Sequence, residues 1–242
     1  MKGEQFVNNL YKFHCNRAEY MLLSYRKLAT VSSSLPGHDP CCAIDRNANT
    51  SWVPKEGKPG EWLCVDLGSV KSVHAVKLCC NFSVSLYGST NGKDYVLLGE
   101  KLVGLSTGRT IYFEKELRLR FLKLVLIAHA VKRFSVTHFE VLGFGNSNPP
   151  KKVEKAFAVM VSDAEAIISW SKVITAIGYR IRFGMSPDKL DEVRTVYGDD
   201  SISIGLPSKT SEKYYYAVDS INENGITKGD IERIGFKVSI LH

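Results

Sequence analysis

Oxygen-bearing side chains crowd one short segment of the chain. Asp45, Asn47, Asn49 and Thr50 lie within six residues, and Trp52 follows two positions later. Hard cations such as calcium bind about six to eight oxygen ligands, and a tight turn can present several oxygens to one point. The segment therefore indicates a loop stiffened by a metal ion, which favours binding over catalysis.

Catalysis has little support in the sequence. Glycoside hydrolysis needs two carboxylates at a defined separation, and no motif places such a pair. The acidic pair Asp199-Asp200 and the carboxylate of Glu223 both lie in segments typical of solvated turns. We expect a protein that is not an enzyme. An unassigned hydrolase stays open as an alternative, which two carboxylates converging in a pocket would favour.

The cysteines give no metal-binding spacing. The chain has six of them, at Cys15, Cys41, Cys42, Cys64, Cys79 and Cys80. No C-x-x-C pattern is present, so a zinc site has weak support. Free thiols are the expected state. A Cys41–Cys80 bridge remains an alternative, because sequence alone does not determine pairing.

Length and charge restrict the class of protein. The chain has 242 residues and a formal net charge of +7, which predicts two domains. The basic run at residues 118–125 alternates with apolar residues, as in a half-buried strand, so nucleic acid is not an expected partner. No apolar run is long enough to span a membrane. The N-terminal residues show no secretion signal, so the chain either stays in the cytoplasm or lacks an upstream signal.

Short apolar segments bounded by turn residues make up most of the chain, which predicts an all-β protein. Asn91-Gly92 predicts a hairpin turn. The Gly-, Asn- and Pro-rich linker 146–151 separates two predicted domains, 28–145 and 152–242, and residues 1–27 form an N-terminal extension. The predicted strands are 73–78, 84–87, 95–98, 110–113, 121–127, 138–142, 157–161, 166–170, 178–183, 192–197, 201–204, 214–221 and 235–240.

The first domain resembles the discoidin domain, also called the coagulation factor V/VIII C-type domain, whose bacterial members include family 32 carbohydrate-binding modules. Four segments carry the resemblance, in the order that the family has them. They are AIDRNANTSW at 43–52, GEWLCVDLG at 60–68, SLYGSTNG at 85–92 and FEVLG at 139–143. The resemblance implies a jelly-roll-like β-sandwich.

The second domain resembles an immunoglobulin-like fibronectin type III β-sandwich. Trp170 and Tyr179 match its core aromatic residues, and Tyr214, placed eight residues before Asn222, matches its tyrosine corner. Together with YMLLSY at 20–25, the two domains are similar to the C-terminal accessory region of bacterial family 43 glycoside hydrolases. The catalytic propeller of those enzymes has no counterpart here. The resemblance implies a glycoside hydrolase as partner.

The discoidin resemblance also implies a calcium site. The matching side chains are Asp45, Thr50 and Glu140, assisted by backbone carbonyls at Cys42 and Asn47. Bringing Glu140 to this turn would tie two distant parts of the domain together. The alternative is an Asx-type turn in which Asp45 binds nearby backbone N–H groups without a metal.

Family 32 modules bind sugars through loops at one end of the sandwich, where an aromatic ring stacks on the sugar and polar groups bind its hydroxyls. Trp52 and Trp62 are expected to be core anchors. The candidate contacts in this sequence are His38, Phe82, His129, Lys132, Arg133 and Phe134. The alternative for Phe134 is a plug beneath the loop. We therefore expect a non-catalytic protein that binds a polysaccharide or oligosaccharide of plant or host origin. The alternative is a structural or protein-interaction module without a sugar site.

Overall fold

Alternation of apolar and polar residues along the chain produces its strands. In the segment Arg109–Ala128 the side chains of Leu122, Leu124 and Leu126 are buried, whereas the side chains between them are half-buried on the opposite face. Successive side chains of a strand point to opposite faces, so this pattern places one face on a core. The all-β prediction is confirmed, with 57% of the described residues in strands and 2% in helices.

Two units make up the chain, Met1–Asn146 and Ser147–His242. The computed structural model describes residues 19–102, 105–128, 134–162, 164–206 and 213–235. Apart from the strands, these ranges contain a short 3-10 turn at Pro40–Ala43. No helix in the described ranges has the length and apolar character needed to cross a membrane.

The first unit is a β-sandwich whose seven strands pair in the order β1-β7-β3-β6-β4-β5, with β2 beside β3. Its two long strands, β3 and β6, pair with each other and are interrupted by bulges after Asp66 and Val73. Bulges bend a strand and let it pass from one layer of a sandwich to the other. The strands are β1 (Met21–Leu22), β2 (Leu28–Val31), β3 (Trp62–Cys80), β4 (Ser83–Ser89), β5 (Val96–Leu102), β6 (Arg109–Ala128) and β7 (Val136–Phe144).

The first and last strands of this unit lie side by side. Met21 and Leu22 of β1 pair antiparallel with Gly143 and Leu142 of β7. Ser24 extends this contact, since its hydroxyl donates to the carbonyl of Phe139 (3.2 Å) and accepts from the N–H of Val141 (2.9 Å). The first and last strands in the described part of the unit are therefore held together. Its core includes Trp52, Leu63, Leu78, Leu86, Leu122, Phe139 and Val141.

The hairpin predicted at Asn91-Gly92 is confirmed, since β4 and β5 pair antiparallel on either side of it. Gly92 has a φ of 75°, a left-handed conformation that glycine adopts without strain. The side chain of Ser89 accepts N–H bonds from Asn91 and Gly92, and that of Asn91 accepts from Lys93 and Asp94.

The second unit consists of two antiparallel sheets. One has the order β12-β9-β8, and the other has the order β11-β10-β13-β14 with β15 also beside β13. Trp170 packs on Tyr179, with ring centroids 5.1 Å apart, in a core shared by both sheets. The strands are β8 (Ala156–Ser162), β9 (Glu165–Trp170), β10 (Gly178–Gly184), β11 (Glu192–Tyr197), β12 (Ser201–Gly205), β13 (Tyr215–Asn222), β14 (Gly225–Thr227) and β15 (Glu232–Arg233).

All cysteines in the described ranges are free thiols, including Cys41 and Cys80, so the alternative of a bridge between these two is not borne out. Burial raises the pKa of Cys80 to about 12. The two thiols also differ in access, because Cys41 is exposed and Cys80 is buried.

Candidate functional site

A turn of the first unit gathers the oxygen atoms that the sequence pattern pointed to. It follows the 3-10 turn Pro40–Ala43 and is shaped by two local hydrogen bonds. The N–H of Asn47 donates to Oδ1 of Asp45 (2.8 Å), and the N–H of Asn49 donates to Oδ1 of Asn47 (3.0 Å). These are Asx turns, which Asp and Asn form readily because their short side chains reach the backbone two residues on. The Asx turn expected as the alternative to a metal site is therefore present.

Three oxygens converge on the hydroxyl of Thr50. Its Oγ1 lies 2.8 Å from Oδ2 of Asp45, 3.0 Å from the carbonyl oxygen of Asn47 and 3.4 Å from the carbonyl oxygen of Cys42. A hydroxyl has one hydrogen to donate, so it satisfies one of these three acceptors at a time. The four oxygens share one hydrogen among them. As oxygen ligands they are of the kind that a hard cation prefers.

Glu140, the remaining predicted ligand, is engaged by cations of the chain itself. Its side chain is 8% exposed, and its Oε1 lies 3.4 Å from Nε of Arg46. Its Oε2 lies 4.0 Å from Nζ of Lys77. The strand that carries Glu140, β7, packs against the 3-10 turn. In the described ranges no three His, Cys, Asp or Glu side chains gather as metal ligands, and the cluster at Thr50 consists of one carboxylate, one hydroxyl and two carbonyls.

Loops from four parts of the first unit meet at one end of the sandwich. The N–H of Leu35 donates to the carbonyl of Val53 (2.9 Å), and Trp52 forms a bridge with Val136. A Cβ on Gly57 would lie 2.8 Å from the ring of Phe134, so glycine permits this loop to lie on that ring. The loops concerned span 32–38, 52–61 and 81–82, followed by the chain from Phe134.

The two phenylalanines among the candidate sugar contacts lie beneath these loops. Phe82 is 5% exposed and Phe134 is 4% exposed, and their ring centroids are 5.1 Å apart. A buried ring offers no face to a sugar, so neither ring is a stacking platform in this structure, and sugar contact by Phe82 and Phe134 stays a prediction. Both rings are apolar, and packing against each other removes them from water. They form the floor under the loops.

His38 stays in the loop that the sequence indicated. It is half-buried, and its Nδ1 lies 3.1 Å from the carbonyl oxygen of Ser51. A carbonyl only accepts, so Nδ1 carries the hydrogen and Nε2 is the acceptor in the neutral ring. The other three predicted contacts, His129, Lys132 and Arg133, lie outside the described residues.

The two tryptophans have different environments. Trp52 is fully buried, as expected for a core anchor, and its Nε1 donates to the carbonyl of Ser33 (3.0 Å). Trp62 is only half-buried, and the expectation that it is a core anchor is wrong. It is next to buried Leu63 in the strand, so the two side chains lie on opposite faces of the sheet. Nζ of Lys123 lies 4.3 Å from the centre of the Trp62 ring. That distance is typical of a cation–π contact.

Sequence reasoning missed a buried carboxylate at the loop end. Glu61 is 6% exposed and accepts hydrogen bonds from the hydroxyls of Ser32 and Ser33. The hydroxyl of Ser33 in turn accepts from the N–H of Lys55 (2.9 Å). This network ties the loop at 32–38 to the loop at 52–61. The run Ser32-Ser33-Ser34 was the signal that the sequence offered. That run indicates nothing until the fold brings it beside a glutamate distant in the chain.

One serine, Ser106, lies in a sequence that formally matches the nucleophile-elbow pattern G-x-S-x-G, namely G-L-S-T-G at residues 104–108. Ser106 is exposed and belongs to a turn between the strands β5 and β6. A nucleophile elbow connects a strand to a helix, so the local structure differs from that motif.

Comparison with known proteins relates this geometry to a known domain. Residues 29–141 match the F5/8 type C domain, and the discoidin-type fold of this part of the chain is thereby established. The comparison with curated proteins found no match.

Solved structures similar to this part of the chain are described as carbohydrate-binding modules. One is chitosan-binding module 1 of a chitosanase/glucanase from Paenibacillus sp. IK-5, at 24% identity over 50% of this chain and 98% of that chain, with a TM-score of 0.47. Module 2 of the same enzyme, in complex with chitotriose, is 25% identical over 50% and 99% of the chains, with a TM-score of 0.47. The family 32 module of C. perfringens NanJ, in complex with galactose, is 20% identical over 51% and 98%, with a TM-score of 0.46.

Proposed function

We propose that the first unit is a non-catalytic carbohydrate-binding module and that its sugar site lies at the loop end. The observation that carries the proposal is the gathering of loops 32–38, 52–61 and 81–82 over a buried aromatic floor, within a segment that matches the F5/8 type C domain. Ligand sites occur where loops converge on a rigid scaffold. The Phe82–Phe134 contact supports the loops of this site from the core, and the hydrogen bonds of Glu61 hold two of these loops together.

Polar side chains carry recognition in the described part of this site. Lys55, Glu56 and Lys58 are exposed, and Ser34 and His38 are half-buried. Hydroxyl groups of a sugar both donate and accept, so they match ammonium donors, a carboxylate acceptor and an imidazole nitrogen. Since Trp52, Phe82 and Phe134 are buried, stacking contributes little among these residues. We expect weak binding, with Kd values on the order of a millimolar, about −4 kcal/mol.

The test is isothermal titration calorimetry of the full chain with galactosides, glucosamine oligomers, xylans and arabinans. The H38A variant should weaken binding to the preferred sugar about fivefold, the equivalent of about 1 kcal/mol for one lost hydrogen bond. His74 provides a matched control, because it stacks on Tyr20 at a ring distance of 4.7 Å and lies outside the loop end. H74A should leave sugar affinity unchanged. No heat of binding with any of these sugars at about ten millimolar, ten times the expected Kd, would contradict the proposal.

A calcium ion is the cofactor that the cluster suits, and its role would be structural. Asp45, Thr50 and Glu140 would hold it with the carbonyls of Cys42 and Asn47, and it would stiffen the turn between the 3-10 turn and Trp52. A ligand that binds only the native state raises its stability. Calcium should therefore raise the thermal midpoint of the first unit, and EDTA should reverse that increase. A midpoint that neither reagent changes would show that hydrogen bonds alone hold the turn.

A protein-interaction module is the second candidate, and the burial of the aromatic rings favours it. Large apolar side chains are instead exposed on other parts of the first unit, namely Leu28, Val96 and Leu97. Their partner would be a separately encoded glycoside hydrolase, as the accessory-region resemblance suggests. This candidate is favoured over the first if two results are obtained together. No sugar binds in the titrations, and the chain binds such an enzyme in a way that L28S and L97S abolish.

The second unit would serve as a spacer of the fibronectin type III kind. Its sheet orders, β12-β9-β8 and β11-β10-β13-β14, suit that topology, and Tyr214 is buried near the start of β13. The W170A variant removes a core ring of this unit, so it should destabilise the unit without changing sugar affinity. A loss of sugar binding in W170A would refute the spacer role.

A further inference from the structure

Arg46 adopts a backbone conformation that is unfavourable for its residue type. Its φ is 64°, in the left-handed region. There the Cβ crowds the following carbonyl, so glycine is the residue that occupies such a position at least cost. Arg46 lies between Asp45 and Asn47, both of which contribute to the oxygen cluster at Thr50. An arginine at this point of the turn calls for a compensating contact of its side chain.

That contact is made with the buried carboxylate of Glu140. Nε of Arg46 is 3.4 Å from Oε1 of Glu140, and the arginine side chain is 36% exposed whereas that of Glu140 is 8% exposed. A buried carboxylate without a cation is strongly unfavourable. Lys77 alone is more distant, with its Nζ 4.0 Å from Oε2. Arg46 therefore supplies the nearer positive charge to Glu140.

Without an ion, both carboxylates already have partners. Asp45 accepts from the N–H of Asn47 and from the hydroxyl of Thr50, and Glu140 is paired with Arg46 and Lys77. A dication that took Glu140 as a ligand together with Asp45 and Thr50 would have to displace the guanidinium with which Glu140 is already paired. Like charges repel, and partly buried charges are screened less than exposed ones.

We propose that Arg46 is an internal competitor of the metal ion: its guanidinium holds Glu140 in the ion-free protein, and binding of a hard dication at Asp45, Thr50 and Glu140 releases it. This inference rests on the proposed cation site and goes beyond it, because it assigns the control of affinity to one residue of the turn. The consequence is a site that is weaker for calcium than its oxygen set alone would make it. Ion binding would also return a positively charged side chain to solvent.

Two substitutions separate the charge of Arg46 from its backbone strain. R46Q removes the positive charge and keeps a Cβ at positive φ, whereas R46G removes both. Lys101 provides a control for strain relief, since it also has a positive φ, 51°, in strand β5. Calcium titration by calorimetry and by thermal midpoint should give about tenfold tighter binding for R46Q and R46G than for the wild type, within the usual range of couplings between neighbouring sites. K101G should bind calcium as the wild type does.

A double-mutant cycle tests the mechanism. In an E140Q background the carboxylate for which the two cations compete is neutral, so R46Q should then change calcium affinity less than twofold. An equal tenfold gain in that background would overturn the inference, because Arg46 would then act only as a distant charge. Equal affinities for the wild type and R46Q would overturn the inference while leaving the cation site intact. Absence of calcium binding in the wild type and in all variants would overturn both.

Discussion

Replacing Thr50 with valine would remove the hydroxyl at the centre of the oxygen cluster while keeping the shape of the side chain. The hydroxyl lies within hydrogen-bonding distance of Asp45 Oδ2 and of the carbonyls of Asn47 and Cys42. Valine offers none of these oxygens a partner and adds a methyl group among them. We expect T50V to fold and to have a less stable first unit.

The expected magnitude follows from the number of hydrogens lost. Thr50 donates one hydrogen bond, and a bond to a charged acceptor contributes about 1.5–3 kcal/mol. Thr50 is half-buried, so water replaces part of this interaction, and we expect a loss of about 1–2 kcal/mol without calcium. At a calcium concentration of about one hundred times Kd, the wild type would gain roughly 2.7 kcal/mol. T50V would gain less than half of this, because it lacks one ligand.

The assay is urea unfolding of the full chain with and without calcium, followed by tryptophan fluorescence. A W170F background leaves Trp52 and Trp62 as reporters of the first unit. Thr30 is exposed on β2, so T30V is a matched control that should change the free energy of unfolding by less than about 0.5 kcal/mol. The reasoning is refuted if T50V unfolds like T30V in EDTA and responds to calcium like the wild type.

Three further changes test other parts of the structure. A Cβ on Gly143 would lie 1.9 Å from a backbone oxygen of β3, so G143A should destabilise the first unit by about 3 kcal/mol in urea unfolding, whereas G205A, with open space around it, should cost far less. Hydrogen bonds from an arginine hold the pKa of Asp66 below its usual value. Its stabilisation is therefore present above about pH 4 and lost as pH falls through the lowered pKa, so the difference in stability between wild type and D66N should shrink on acidification; a constant difference would contradict this. Because Cys80 has a pKa of about 12, iodoacetamide at about pH 8 should modify exposed Cys41 first, as mass spectrometry of peptides would show, and equal rates would contradict the burial of Cys80.

Strand positions followed closely from sequence because their signals are local. The predicted segments 166–170 and 192–197 coincide with Glu165–Trp170 and Glu192–Tyr197 to within one residue. The continuity of β6 over Arg109–Ala128 was missed, since the charged run in its middle resembles a boundary between two strands. It continues as one strand because its two halves pair with different parts of β3. Long-range pairing of this kind has no signature in a single segment.

The candidate site was predicted less completely. The turn around Asp45 and Thr50 could be read from adjacent residues, because Asx turns are local. The burial of Phe82 and Phe134 could not, because it depends on a contact between residues 52 positions apart in the chain. The pairing of Arg46 with Glu140 depends on a separation of 94 positions. The ion pair of this arginine could not be predicted from the turn alone, because it forms only when the strand that carries Glu140 lies beside the turn.

The pairing of β1 with β7 has a consequence for how the first unit can be combined with other domains. Among the described residues, its first strand begins at Met21 and its last strand ends at Phe144; these strands are neighbours, and Ser24 links them. A domain whose ends adjoin can be inserted into a loop of a host protein without forcing the host's flanking segments apart. The closeness of these two strands permits circular permutation, with a short linker joining Met21 to Phe144 and new termini at a turn such as Asn91-Gly92. The unit is thus suited to transfer as a self-contained cassette.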